Sequence, residues 1–153
     1  MPGYFVDTSA VAKLYHPEIG SAWMESLVKA RGARLIISQL SLIEIQSVFA
    51  TKVRTGVIDK ATLEQLRGLF FADLAKGRFE VVSLAGRHLQ GAEALVRSYA
   101  ADLSLRTLDA IQLSVALDLR RRGTAPEFVS SDRSLSKVAA LAGLSVLDPT
   151  EGA

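Results

Sequence analysis

The sequence predicts an α/β protein in which a mostly parallel sheet is covered by helices on both faces. Short apolar segments of strand length alternate with longer segments of helical periodicity along the whole chain. Glycines follow several of the helical segments, as is typical of helix ends. Parallel strands need right-handed helical crossovers between them, so this alternation indicates a parallel sheet with a layer of helices on each face.

Apolar spacing and helix-end signals assign the elements in order. The first strand, Tyr4 to Val6, ends at the turn Asp7-Thr8-Ser9, after which apolar residues recur at helical spacing. Four more strands are predicted at Arg34 to Ile37, Phe79 to Val82, Glu127 to Ser130 and Leu144 to Leu147. Six further helices are predicted at Ser21 to Ala30, Leu42 to Arg54, Lys60 to Lys76, Arg87 to Ala101, Thr107 to Arg122 and Leu135 to Leu141.

Length and composition narrow the class of protein. The 153 residues are enough for one hydrophobic core, so we expect a single domain over residues 1–153. Hydrophobic residues make up 49% and charged residues 22%, and no apolar run approaches the length of a membrane-spanning helix, so we expect no membrane association. The amino terminus lacks a signal-peptide pattern and there is no cysteine, which favours a cytoplasmic location. The formal net charge of +2 is compatible with a nucleic-acid partner but does not identify one.

Four acidic residues are the candidates for chemistry. Asp7, Glu44 and Asp132 each follow a predicted strand, so in a parallel sheet they lie beyond its carboxyl edge. Open α/β sheets bind ligands at that edge. Asp109 stands in the first turn of a predicted helix, and spacing alone does not bring it to the same place.

Each acid also has an ordinary structural explanation. Asp7 and Asp132 precede helices, where a carboxylate caps free backbone amides. The pattern Ser41-Leu42-Ile43-Glu44 matches a capping box, and Asp109 is favoured by the dipole of its helix. No single acid therefore establishes catalysis.

Four segments carry a family resemblance that spans almost the whole chain: VDTSAVAKLY, SLIEI, LRTLDAIQLSVAL and FVSSDRSL, in this order. Together they resemble PIN-domain proteins, especially the VapC-type toxins of bacterial toxin–antitoxin pairs. The most specific of them is the LDAIQLSVAL helix, with its acid in the first turn. The resemblance implies a PIN-like three-layer sandwich with five strands in the order 3-2-1-4-5. The topological switch then lies beside the first strand.

The resemblance assigns roles at matching positions. Asp7, Glu44, Asp109 and Asp132 match the family's four catalytic acids in order. Ser9 matches the small hydroxyl residue two positions after the first acid. Ser130 matches a hydroxyl two positions before the last acid, where the family often has threonine. The implied activity is that of a metal-dependent endoribonuclease acting on RNA.

The proposed acids imply a metal ion. Carboxylates ~4 Å apart repel by roughly 1 kcal/mol per pair in water and by more inside a protein, so they need a cation or shared protons. Oxygen ligands without cysteine favour Mg²⁺, or Mn²⁺, over zinc. We expect Asp7 and Asp109 to bind the metal directly, with Glu44 and Asp132 as further candidates. The metal would activate a water molecule for hydrolysis of a phosphodiester.

Basic side chains near the acids are candidates for contacts to RNA phosphates. Arg106, Arg133 and Lys137 are close to acidic positions in sequence, although solvated cations explain them equally well. The run from Arg120 to Arg122 stands at a helix carboxyl terminus, where the helix dipole already favours positive charge.

Two features bear on protein partners: the family resemblance and the apolar content of two predicted helices. The family resemblance implies a homodimer and a groove that receives the carboxyl-terminal segment of a VapB-type antitoxin. The two helices predicted over residues 42–54 and 60–76 carry more apolar side chains than one face of a surface helix requires. An ordinary core explains them as well as an interface does.

Two other functions remain open at this stage. A phosphatase could use Asp7 as its nucleophile, since an aspartate after the first strand of an α/β sheet can form an acyl phosphate. A second aspartate two positions on would favour that enzyme, but Ser9 is there. A non-catalytic PIN-fold module that binds RNA or protein would be favoured by loss of an acid, and none is missing.

Overall fold

The computed structural model describes residues 2–124 and 126–151. The strands are β1 (Gly3–Val6), β2 (Arg34–Ser38), β3 (Phe79–Val82), β4 (Glu127–Val129) and β5 (Val146–Leu147). The helices are α1 (Thr8–Ala12), α2 (Ser21–Lys29), α3 (Gln39–Arg54), α4 (Lys60–Ala75), α5 (Gly86–Tyr99), α6 (Thr107–Arg121) and α7 (Arg133–Leu141).

The strands form one sheet in the order β3-β2-β1-β4-β5, with every neighbouring pair parallel. This confirms the expected order 3-2-1-4-5. The first strand lies in the middle, with Phe5 paired to Ile36 of β2 on one side and to Phe128 of β4 on the other. The topological switch therefore lies at the carboxyl end of β1.

Alternation along the strands separates two hydrophobic cores. In β1, Val6 packs in the core formed with α1 to α4, whereas Phe5 packs in the core formed with α5 to α7. Val129 and Phe128 of β4 divide in the same way. Successive strand side chains point to opposite faces, so each face of the sheet is covered by its own helices, as expected.

Helix α3 begins at Gln39 rather than at Leu42. The chain passes from β2 into the helix without a turn, and Ser38 occupies the N-cap position. Leu40 is buried, which adds one more apolar position at the start of the helical pattern. As a consequence, Ser41 and Glu44 lie inside the helix rather than at its start.

The apolar residues of α3 and α4 divide between core and surface. Phe49, Leu66 and Phe70 are buried, whereas Ile43 is 70% exposed and Phe71 is 55% exposed. An ordinary core therefore accounts for part of the apolar content and leaves some of it on the surface. Within the described part of the chain, no helix has the length and apolar character needed to cross a membrane.

Candidate active site

Asp7 lies at the end of the middle strand and is buried, with 6% of its surface exposed. Its backbone N–H donates to the carbonyl of Val129 at 2.9 Å. The side chain makes no capping hydrogen bond to α1. Its Oδ2 instead accepts hydrogen bonds from the hydroxyls of Ser9, at 2.9 Å, and Ser130, at 3.1 Å. The capping interpretation of Asp7 is therefore wrong, and within the described residues Oδ1 has no protein donor.

Glu44 is held by polar groups from two other helices, α1 and α6. Its Oε1 accepts a hydrogen bond from the Thr8 hydroxyl at 2.9 Å and from the Gln112 side-chain amide at 2.5 Å. The same amide nitrogen lies 3.0 Å from Ser41 Oγ. Ser41 and Glu44 therefore face a buried polar network instead of the free amides of α3, and the capping-box interpretation is wrong.

Asp109 lies in the first turn of α6, as the sequence predicts. Arg106, at the N-cap position of the same helix, places its Nε 3.4 Å from Asp109 Oδ2. Its Nη2 lies 4.0 Å from Asp132 Oδ2, and its side chain is 80% exposed. Arg106 therefore bridges two of the acids while its guanidinium stays largely in water.

Asp132 caps α7, and this part of the capping interpretation is confirmed. Its Oδ1 accepts a hydrogen bond from the backbone N–H of Leu135 at 3.1 Å. Its own backbone N–H donates to Ser130 Oγ at 3.1 Å. Ser130 in turn donates to Asp7, so a continuous hydrogen-bonded path joins the ends of β1 and β4.

The carboxylates influence one another electrostatically. Burial raises the pKa of Asp7 from 3.8 to about 6; the two serine hydroxyls oppose the rise, and the charges of Glu44 and Asp109 add to it. Burial also raises the pKa of Asp109, Arg106 opposes that rise and Asp132 adds to it. The four acids therefore form one electrostatic cluster, although they come from four different parts of the chain.

The donor types in this cluster fit a hard divalent cation. Within residues 2–124 and 126–151, no three acidic, histidine or cysteine side chains converge closely enough to enclose a metal as they stand. Asp7, Glu44 and Asp109 nevertheless each keep one carboxylate oxygen without a protein donor in that part of the chain. Oxygen-only donors of this kind suit Mg²⁺ or Mn²⁺. Binding requires the carboxylates to approach one another, and a cation would offset the repulsion that opposes this.

The other basic residues singled out from the sequence form no ion pair with these acids in the described part of the chain. Arg133 and Lys137 are exposed on α7, and in the described part of the chain neither pairs with any of the four acids. Arg121 and Arg122 lie 4.0 and 3.4 Å from the carboxylate of Asp118 near the end of α6. Of the basic residues singled out from the sequence, the structure places Arg106 against the acids.

The polar network at Glu44 was not predicted from the sequence. Thr8 and Gln112 bind Glu44 directly, and Ser38 and Ser41 contact the amide of Gln112. A signal for one of them was present. Gln112 follows Asp109 by three positions, so both lie on the same side of α6, and it interrupts a run of apolar residues. A polar side chain on a buried helix face must find hydrogen-bond partners, which pointed to a network beside Asp109.

The fold and the site together define a class of protein: parallel α/β proteins that carry several carboxylates at the carboxyl edge of the sheet. The model of the PIN domain matches residues 4–141. The chain belongs to the PIN-domain family. No curated protein matches it.

Solved structures with the same fold have low sequence identity to this chain. VapBC2 from Rickettsia felis, bound to a DNA fragment from its promoter, gives a TM-score of 0.66 at 15% identity, over 95% of this chain and 98% of that one. VapC20 from Mycobacterium tuberculosis gives a TM-score of 0.65 at 16% identity, over 92% of this chain and 95% of that one. A toxin–antitoxin complex from Klebsiella pneumoniae gives a TM-score of 0.59 at 18% identity, over 95% of this chain and 97% of that one. The resemblance drawn from the four sequence segments is confirmed.

The buried charge of Asp7 predicts a pH-dependent stability difference. Because burial raises the pKa of Asp7, the folded state holds this proton more tightly than the unfolded state does. The resulting contribution to the free energy of unfolding is fully present below the ordinary pKa of 3.8 and is lost as pH rises through about 6. Asp7→Asn removes this penalty, so the metal-free variant should be more stable than wild type near pH 8, by on the order of 2 kcal/mol. Its advantage should shrink as pH falls towards 4. Urea unfolding with a chelator present measures both values.

Asp102→Asn is the matched control, because Asp102 is exposed in a turn. It should change stability little at either pH. An Asp7→Asn protein that is less stable than wild type near pH 8 would contradict the electrostatic description of Asp7.

Proposed function

We propose that this chain is a divalent-metal-dependent endoribonuclease that hydrolyses RNA phosphodiester bonds. The observation that carries the proposal is a chain of contacts at the ends of β1 and β4, in which Ser130 links Asp7 to Asp132 and Arg106 links Asp132 to Asp109. The charge of Glu44 also acts on Asp7. Membership of the PIN-domain family supports the proposal. So does VapC20, which is described as a toxin that cleaves the sarcin–ricin loop.

In this proposal the acids divide the work of holding Mg²⁺ or Mn²⁺. Asp7 and Asp109 would bind the ion directly, and Glu44 and Asp132 would complete its surroundings or orient the attacking water. The bound ion would supply a more acidic water and stabilise charge on the scissile phosphate. Ser9 and Ser130 hold one oxygen of Asp7, which fixes the direction of the other.

Two arginines are assigned to the RNA backbone. Arg106 already lies against Asp109 and Asp132 and keeps most of its side chain in water, so it can exchange a carboxylate for an RNA phosphate. Arg133 is exposed at the start of α7, one residue after Asp132. Each phosphate contact would add affinity that falls with salt concentration.

We further propose that the chain is the toxin of a toxin–antitoxin pair, acts in the cytoplasm as a homodimer and is covered by a VapB-type antitoxin. The structure from Klebsiella pneumoniae is described as a toxin–antitoxin complex, and the one from Rickettsia felis as VapBC2 bound to promoter DNA, which supports the proposal. Ile43 and Leu69, which are 70% and 56% exposed on α3 and α4, offer apolar contacts for a partner.

RNA cleavage tests the nuclease. Purified wild type should cut total cellular RNA with Mg²⁺ or Mn²⁺ and not with EDTA. Asp7→Asn and Asp109→Asn should each cut at least about 100-fold more slowly, because each removes a negative oxygen donor from the metal site. Asp102→Asn should cut like wild type. Cleavage that survives EDTA and both variants would contradict the proposal.

Growth of a bacterial host tests the toxin. Induction of wild type alone should stop growth, since cleavage of cellular RNA blocks protein synthesis, whereas Asp7→Asn at the same soluble level should not. Colony counts before and after induction measure the difference. An equally toxic Asp7→Asn variant would show that the acid cluster is not the source of toxicity.

A further inference from the structure

Gln112 is a fully buried polar side chain in an apolar part of α6. It is 0% exposed, and its neighbours Leu113 and Val115 belong to the hydrophobic core. Its amide reaches across to the end of β2, where Ser38 Oγ lies 2.8 Å from Gln112 Oε1. Burying an amide in such a place costs free energy unless its hydrogen bonds are made.

The orientation of this amide follows from its partners. A carboxylate only accepts hydrogen bonds, so the nitrogen of Gln112 must face Glu44. The oxygen then faces Ser38, whose hydroxyl donates to it. Ser38 and Glu44 together therefore fix one of the two ways in which the amide can be turned.

The amide and the Thr8 hydroxyl both bind the same oxygen of Glu44. Gln112 Nε2 lies 2.5 Å from Oε1, and Thr8 Oγ1 lies 2.9 Å from it. Among the described residues, Oε2 accepts no hydrogen bond from the protein. Hydrogen bonds to a charged acceptor are roughly twice as strong as neutral ones, so Oε1 is a firm anchor point.

We propose that Gln112 is a positioning residue, which holds Glu44 by Oε1 so that Oε2 stays available to a divalent cation. The inference rests on the proposed metal-dependent function. In this role Gln112 acts through Glu44 and does not itself contact the metal or the RNA. Its contribution resembles that of other outer residues that orient metal ligands, whose loss typically lowers metal affinity by about 10- to 100-fold.

Mn²⁺ binding tests this without any need for turnover. Free Mn²⁺ is measured by electron paramagnetic resonance as each protein is titrated. Gln112→Met keeps the length of the side chain and removes both donor and acceptor, and it should weaken Mn²⁺ binding by about 10- to 100-fold. Gln65 is an exposed glutamine of α4, and the control variant Gln65→Met should bind Mn²⁺ like wild type.

A double-mutant cycle separates positioning from general damage to the fold. In a Glu44→Gln background, Gln112→Met should change Mn²⁺ affinity less than about twofold, since the ligand that it orients is already lost. Ser38→Ala leaves the amide present and removes the hydroxyl that steadies its oxygen. It should therefore weaken Mn²⁺ binding in the same direction, by less than Gln112→Met, and it supplies the test if Gln112→Met does not fold.

The outcomes are distinct. Wild-type affinity in Gln112→Met, or in Ser38→Ala if only that variant folds, overturns the role of this pair. An equal loss from Gln112→Met in the presence and absence of Glu44 shows an effect on the fold and also overturns it. A wild-type chain that binds no Mn²⁺ overturns the metal-dependent function itself, and the inference falls with it.

Discussion

The burial of Asp7 at the carboxyl end of β1 constrains much of the surrounding structure. A carboxylate with 6% of its surface exposed cannot rely on water for its hydrogen bonds, and burial raises its pKa to about 6. Two hydroxyls, one from Ser9 in α1 and one from Ser130 directly after β4, supply the missing donors. Parallel pairing of β1 with β4 brings the Ser130 hydroxyl to a carboxylate that Ser9 already contacts locally.

The same principle applies around Glu44. Its partners come from α1 and α6, and the amide of Gln112 is in turn fixed by the end of β2. Each of these polar groups occupies a position in or beside a core where an apolar side chain could pack. The network therefore lowers stability unless all of its hydrogen bonds are made. Concentration of such costs at the carboxyl edge of the sheet is typical of a functional site.

The sequence predicts the fold better than it predicts the local geometry of the acids. Alternating strands and helices predict the parallel sheet covered by helices, because parallel strands need helical crossovers. The strand order that the structure shows was implied by the PIN resemblance alone. The capping box at Ser41 and Glu44 fails since the pattern is local, whereas α3 begins earlier, at Gln39. The approach of Asp109 to the other acids depends on how α6 packs on the sheet, and sequence spacing does not contain that information. The partners of Gln112 could not be identified for the same reason, since they are far away in sequence.

The most direct test of the metal centre is a crystal of the wild-type protein soaked in Mn²⁺ and measured for anomalous scattering. We expect a peak within coordination distance of carboxylate oxygens of both Asp7 and Asp109, at roughly 2.0–2.6 Å, the range of oxygen ligands to hard divalent cations. A fully occupied Mn²⁺ site elsewhere, with no peak between these two acids, would contradict the assignment of this cluster as the metal centre of a PIN-domain nuclease.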